Sequence, residues 1–199
     1  MLSDAWIRTY CGPAPGPDDF WFRWNFDPLL LAALSLLFFV VLRARSCHGL
    51  AAVGVLVLAF VSPLCALSSA LFSARVVHHV LLFAVAAPLL ARAWPSRRAG
   101  GAMAAFAVSA GVLWGWHLPA AYDLALSHVG VYWLMQISLL GSALWFWRTV
   151  FAPGRTPVEA LTLLIAGFAQ MGLLGAILTF APEALYAAHA VAPMDWGFS

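Results

Sequence analysis

The chain has 199 residues, of which 64% are hydrophobic and only 9% are charged, and its formal net charge is +2. A soluble domain carries about a quarter charged residues, so this composition excludes a globular protein with a water-exposed surface. The small net charge gives no basis for nucleic-acid binding. The mean hydropathy of +0.91 indicates that lipid is the solvent for most of the chain.

Six apolar stretches follow one another along the chain. A helix needs about 20 largely apolar residues to cross the hydrocarbon core of a bilayer. We therefore predict six transmembrane helices, at Asp27–Leu42, Gly49–Leu67, Phe72–Ala91, Gly101–His117, Val131–Phe151 and Val158–Phe180. Pro63 and Pro88 lie near the ends of the second and third stretches, where we expect them to end or kink those helices.

The arginines predict the orientation, because cytoplasmic loops carry an excess of basic residues. Alternate loops hold seven of the ten basic residues, at Arg43, Arg45, Arg92, Arg97, Arg98, Arg148 and Arg155. Of the acidic residues, all except Glu159 lie toward the opposite side. We expect one all-α, polytopic membrane domain over residues 1–199, with both termini non-cytoplasmic. Residues 1–25 would form an outer N-terminal segment and residues 181–199 an outer C-terminal tail.

This topology places most histidines near the outer face. The residues assigned to that face are His78, His79, His117, His128 and His189, whereas His48 lies inside beside the arginines. Cys65 ends the second predicted helix on the outer side, and Cys11 lies in the outer N-terminal segment. The three cysteines form no Cys-x-x-Cys pair, which excludes a small secreted fold stapled by disulfides.

Ionisable residues within a membrane are costly and therefore suggest function. Arg75 and His79 are spaced i,i+4 and share one helix face. Arg75 lies a turn from the interface, so its side chain could equally well snorkel outward. For His117 taken alone, the pattern favours a structural role at the end of a helix. His128 and His189 are predicted to be ordinary solvated histidines. Histidine with cysteine or methionine at an outer face suits copper, chiefly as Cu(I).

Several short motifs together resemble one family. They are Trp24-Asn25-Phe26-Asp27-Pro28, Ser62-Pro63-Leu64, Phe72-Ser73-Ala74, His79-Val80-Leu81-Leu82, Ala87-Pro88-Leu89-Leu90, Leu113-Trp114-Gly115-Trp116-His117-Leu118-Pro119 and Tyr122-Asp123. Over about Trp24 to Trp196, the chain resembles the CtaG-type cytochrome c oxidase assembly factors, which are multi-span bacterial membrane proteins.

The resemblance implies a multi-pass protein of the bacterial inner membrane that is not itself an enzyme. It would assist assembly of haem–copper cytochrome c oxidase, at the copper step or as a scaffold, with oxidase subunits as its partners. His79 and His117 match family motifs directly. With His78 and Cys65, they are the residues we expect to bind copper.

The chain also departs from the family pattern. Arg75 stands where the family usually has a histidine, and a guanidinium cannot ligate a metal. His78 stands where the family tends to have glutamine, and Tyr132 and Gln136 stand where it tends to have histidines. The family tends to continue beyond the position of Ser199, so we expect a shortened chain or a divergent relative with a depleted metal site.

Other functions fit parts of the pattern. His79 and His117 on adjacent helices could be the axial ligands of a haem in an electron-transfer protein. An intramembrane serine protease would need a nucleophile such as Ser109, but Ser109 does not lie in a Gly-x-Ser motif. A channel or transporter lacks support, because apart from Arg75 no charge lies deep within a predicted span.

Overall fold

A computed structural model describes residues 10–96, 101–182, 185–186, 189 and 192–197. The described residues do not include five charged residues that the sequence assigned to one or other side of the membrane: Asp4, Arg8, Arg97, Arg98 and Glu183. Within them the chain is helical and contains no strand, which confirms the all-α prediction. The helices are α1 (Pro28–Arg43), α2 (Cys47–Phe60), α3 (Leu64–Ala70), α4 (Phe72–Ala93), α5 (Ala102–Trp116), α6 (Pro119–Ser127), α7 (Val129–Val150) and α8 (Pro157–Thr179).

All six predicted apolar stretches form helices, and their ends lie within three residues of the prediction. Three of these helices, α4, α7 and α8, are individually long and apolar enough to cross a bilayer. A fourth span results if α2 and α3, which meet at a bend of 44°, are taken together. Helices α1 and α5 are apolar but shorter. The count of six spans and the side of the termini stay predictions.

Local sequence explains where several helices begin. The Asp27 carboxylate accepts a hydrogen bond from the Leu30 N–H at 2.8 Å, and Pro28 follows it at the first helical position of α1. Thr156 and Glu159 form a capping box at the start of α8, where Pro157 again occupies the first turn. Both starts combine a side-chain cap with a proline that has no N–H to satisfy.

The two internal prolines act differently. Pro63 separates α2 from α3, as the sequence predicts. Pro88 lies inside α4, which continues through it by means of a π turn at Leu81–Ala86. Pro88 therefore does not end its helix, because the hydrogen bonding changes locally within one continuous helix. A kink at Pro88 stays a prediction.

Helices α4 and α7 form the centre of the bundle. Helix α1 packs on α2, α2 packs on α4, and α4 packs on α7, which in turn packs on α5. Helix α8 contacts α5 and α7 but buries only 11% of its apolar window, so it lies at the edge. The short helix α6, which the sequence assigned to a loop, packs on α7 beside the end of α5.

The N-terminal segment is tied to this bundle by a disulfide. Cys11 and Cys65 are bonded, with their Cα atoms 5.4 Å apart. Tyr10 stacks on Tyr132 of α7, with ring centroids 4.9 Å apart. The Trp196 indole donates a hydrogen bond to the Pro15 carbonyl at 3.1 Å, which joins the described part of the C-terminal tail to the same segment.

Candidate functional site

Two of the four predicted metal ligands lie side by side. His79 lies in α4, and His117 is the residue that ends α5. Their ring centroids are 5.6 Å apart and the ring planes are nearly perpendicular, at 82°. Two imidazoles at this separation can share one ion, because a metal–nitrogen bond is about 2 Å long. The arrangement therefore fits a two-histidine site.

The hydrogen bonds of His117 leave one ring nitrogen free for ligation. Its Nδ1 lies 2.7 Å from the Leu113 carbonyl oxygen, so Nδ1–H donates and Nε2 keeps its lone pair. Metal-binding histidines are commonly held in this way. The Tyr186 hydroxyl donates to the carbonyl of His117 at 2.9 Å. Neither ring nitrogen of the buried His79 has a hydrogen-bond partner among the described residues.

Both rings line one cleft between α4, α5 and α8. The cleft has a volume of about 420 Å³, and its other lining includes Met171, Gly172 and Gly175 of α8. A methionine thioether is a soft ligand that suits Cu(I). The sequence alone predicts a packing role for Met171, and only the fold places it in the lining of the same cleft as the histidine pair.

A second, smaller cavity touches the inner side of His79. It is lined by Ser109, Ser142 and Met171 among others and has a volume of about 20 Å³. That is room for one water molecule. Ser109 and His79 therefore line the same cavity, but among the described residues its lining includes no carboxylate that could complete a catalytic triad.

The other two predicted ligands lie elsewhere. The ring of His78 is fully buried and packs edge-on against Phe60 of α2, with centroids 4.9 Å apart, although it also lies 5.7 Å from His79. Cys65 is bonded to Cys11, so it offers no thiolate while the disulfide is intact. In the described part of the chain, no three His, Cys, Asp or Glu side chains converge on one point.

Arg75 does not snorkel outward, so that alternative is wrong. Its side chain is 1% exposed, and Nε donates a hydrogen bond to the Ser68 carbonyl at 3.0 Å. The guanidinium carbon lies 6.0 Å from the ring centroid of Tyr122 and 5.8 Å from that of Tyr132. Aromatic faces stabilise a cation at such distances. Arg75 is thus held inside the bundle, one helical turn before His79.

Tyr132, whose ring contacts this cation, and Gln136 stand where the resemblance implied histidines. Tyr132 is 1% exposed and Gln136 is 2% exposed, and both lie on α7. The amide of Gln136 has no hydrogen-bond partner among the described residues. A permanent positive charge and neutral side chains therefore occupy the part of the core where the resemblance implied additional ligands.

His189 is buried, so the prediction from the sequence that it is an ordinary solvated histidine is wrong. It is 8% exposed, its Nε2 lies 2.7 Å from the Tyr122 hydroxyl, and its Nδ1 lies 3.3 Å from the Ala70 carbonyl. Burial, with a smaller effect from the charge of Arg75, lowers the pKa of His189 to about 4. His189 is thus a neutral structural residue that joins the C-terminal tail to Tyr122 and Ala70. No sequence signal marks it, because its partners are remote in the chain.

His128 agrees with its expected role as an ordinary surface residue. It is exposed, and its Nδ1 lies 2.9 Å from the hydroxyl of its neighbour Ser127.

A comparison with known families finds one match. The cytochrome c oxidase caa3 assembly factor family matches residues 96–199, which is just over half of the chain and includes His117, Tyr132 and Met171. No curated protein and no solved structure gives a significant match.

Proposed function

Because this chain belongs to the cytochrome c oxidase caa3 assembly factor family, we propose that it assists copper insertion by holding Cu(I) between His79 and His117. The observation that carries the proposal is the perpendicular ring pair at 5.6 Å, which lines an apolar cleft together with Met171. Two or three soft or imidazole ligands are a suitable set for Cu(I). Copper is the cargo here, and the family assignment suggests a role that is not catalytic.

The surroundings of the histidine pair favour release of Cu(I) as well as its binding. The fixed charge of Arg75 lies one turn from His79 and repels a cation. A site with few ligands and a nearby positive charge holds copper weakly. Transfer would be a ligand exchange, in which bonds from copper to imidazole break as bonds to the ligands of an oxidase subunit form. No change of oxidation state is required.

The membrane placement belongs to the same proposal. Six helices crossing the bacterial inner membrane, with both termini outside, put the histidine pair near the periplasmic face. The distribution of arginines supports this orientation, and helices at all six predicted positions support the count. At that face, the cleft would be accessible to periplasmic segments of a nascent oxidase.

Copper titration tests the ligand assignment. We expect purified protein to withdraw Cu(I) from a chromophoric chelator in a one-to-one ratio. His79→Ala and His117→Ala should each weaken binding at least about tenfold, because each removes one of two imidazole ligands. His128→Ala is the matched control, since His128 is exposed and outside the cleft. Circular dichroism and gel filtration would verify that each variant is folded.

Three results would contradict the copper proposal. Cu(I) binding that survives both substitutions would place the ligands elsewhere. A folded wild-type protein that binds no Cu(I), yet co-purifies with oxidase subunits, would indicate a scaffold without metal. A Soret band in the purified protein would instead support the haem alternative.

A further inference from the structure

A groove unrelated to the histidine pair runs between α2 and α4 at the arginine-rich end of the bundle. Its volume is about 230 Å³, and its walls are Ala84, Val85, Pro88 and Leu89 of α4. Two polar side chains, His48 and Arg92, complete the lining. The groove therefore combines an apolar wall with a basic end.

The basic end has several sources of positive charge. The Arg92 guanidinium carbon lies 4.6 Å from the ring centroid of Phe151, which holds the side chain beside the groove. Arg92 forms no ion pair with the described acidic residues, whereas Arg155 lies 3.9 Å from Glu159. The charge of Arg92 is therefore available to an external anion.

The N-terminus of helix α2 adds to the positive charge at this end of the groove. His48 lies in its first turn, after the Ser46 cap. The N-terminus of a helix carries a positive partial charge and attracts anions. Arg43 and Arg45 precede this turn and are exposed. An anion at His48 and Arg92 would thus meet a side-chain cation, an imidazole and a helix terminus.

We propose that this groove binds one anionic phospholipid. Its phosphate would lie between His48 and Arg92, and an acyl chain would run along the apolar wall of α4. The four apolar lining residues favour a lipid over free phosphate, because free phosphate gains nothing from them. Basic pockets between membrane helices commonly take acidic head groups. The proposal does not depend on copper binding.

Native mass spectrometry of the full chain tests this proposal. Delipidated protein in detergent would be titrated with dioleoylphosphatidylglycerol and, separately, with dioleoylphosphatidylcholine. We expect one phosphatidylglycerol to bind at least about fivefold more tightly than phosphatidylcholine, which corresponds to about 1 kcal/mol for one basic residue near a charged lipid. Equal affinity for the two lipids would overturn the proposal.

Two variants test separately how the charge and the shape of the groove contribute to lipid binding. Arg92→Gln should weaken phosphatidylglycerol binding about fivefold, and Val85→Trp should weaken it by filling the groove while keeping every cation. Arg23→Gln is the control, because Arg23 lies in the N-terminal segment and pairs with Asp19. Thermal unfolding without lipid would verify that the variants fold. A folded Arg92→Gln or Val85→Trp protein that binds phosphatidylglycerol like Arg23→Gln would contradict the site.

Inorganic phosphate provides the last comparison. We expect millimolar phosphate to leave the unfolding temperature unchanged, whereas phosphatidylglycerol raises it. If phosphate stabilises the protein as much as phosphatidylglycerol does, the site recognises the anion alone and the lipid proposal fails.

Discussion

At the scale of single residues, burial separates histidines that look alike in the sequence. His79 and His117 face one cleft, His78 packs against Phe60, and His189 bonds the Tyr122 hydroxyl. His128 is exposed. Each imidazole therefore has its own chemistry, which depends on the neighbours that the fold brings to it.

His189 should make the stability of the protein depend on pH. Its pKa is about 4 in the fold and about 6.5 when unfolded. Between these values the unfolded chain binds more protons, so stability falls as pH decreases from about 6.5 to 4, by roughly 3 kcal/mol in total. The titratable groups in contact with His189 are Tyr122 and Tyr186, and Arg75 is the nearby charge.

Unfolding in detergent as a function of pH measures this effect. We expect His189→Gln to flatten the pH dependence between pH 6.5 and 4 relative to wild type. The exposed histidine variant His128→Gln should retain the wild-type slope. A His189→Gln protein with an unchanged slope would show that another group is responsible.

At the scale of helices, the π turn in α4 shows how a proline is accommodated. The Ala87 N–H bonds the Leu82 carbonyl, which is the i→i+5 pattern of a π turn. The next carbonyl, that of Phe83, would need the N–H of Pro88, which does not exist. The indole of Trp147 on α7 donates to it instead, at 2.7 Å.

Replacing the Trp147 indole tests whether it compensates for the missing N–H of Pro88. We expect Trp147→Phe to destabilise the protein by about 1–3 kcal/mol, because a buried carbonyl loses its partner. Trp145→Phe is the matched control on the same helix, since Trp145 is 43% exposed. Equal unfolding midpoints for the two variants would contradict the role assigned to Trp147.

Helices α1 and α2 approach closely at a glycine. A Cβ atom added at Gly49 would lie 2.7 Å from Cγ1 of Val41, whereas one added at Gly54 would meet nothing within 4 Å. We expect Gly49→Ala to cost about 1–3 kcal/mol through overpacking. Gly54→Ala, in the same helix, should be neutral or stabilise by up to about 1 kcal/mol. Chemical denaturation of both variants in the same detergent checks the difference.

At the scale of the whole molecule, the N-terminal segment is locked onto the bundle. The Cys11–Cys65 disulfide closes a sequence separation of 54 residues. Cys47 is free and exposed. Both bonded cysteines lie toward the predicted outer side, and disulfides persist in oxidising compartments such as the periplasm. The pairing is thus consistent with the proposed orientation.

Thiol labelling tests the disulfide and the orientation together. Unreduced protein should react with one maleimide per chain, at Cys47, and reduced, denatured protein should react with three. In intact spheroplasts, a membrane-impermeant maleimide should leave Cys47 unlabelled until the membrane is opened. Reduction should destabilise the fold by about 2–4 kcal/mol. Labelling of Cys47 from outside would contradict the proposed topology.

The sequence alone determined the membrane class and the positions of the six apolar helical stretches. Composition, apolar runs and prolines act locally, so Asp27-Pro28 and Thr156-Pro157 mark helix starts without knowledge of the fold. The resemblance carried by Leu113–Pro119 agrees with the family match, which covers residues 96–199. Nearly uniform apolarity along the helices, however, gave no indication that α4 is central and α8 peripheral.

Only the tertiary structure decided which polar groups meet. Arg75 could have faced outward or inward, and its burial depends on Tyr122 and Tyr132 from two other helices. The pairs Cys11–Cys65 and Tyr122–His189 join residues 54 and 67 positions apart. Helical periodicity fixes which side of its own helix a residue occupies, but the neighbour on that side is set by how the helices pack.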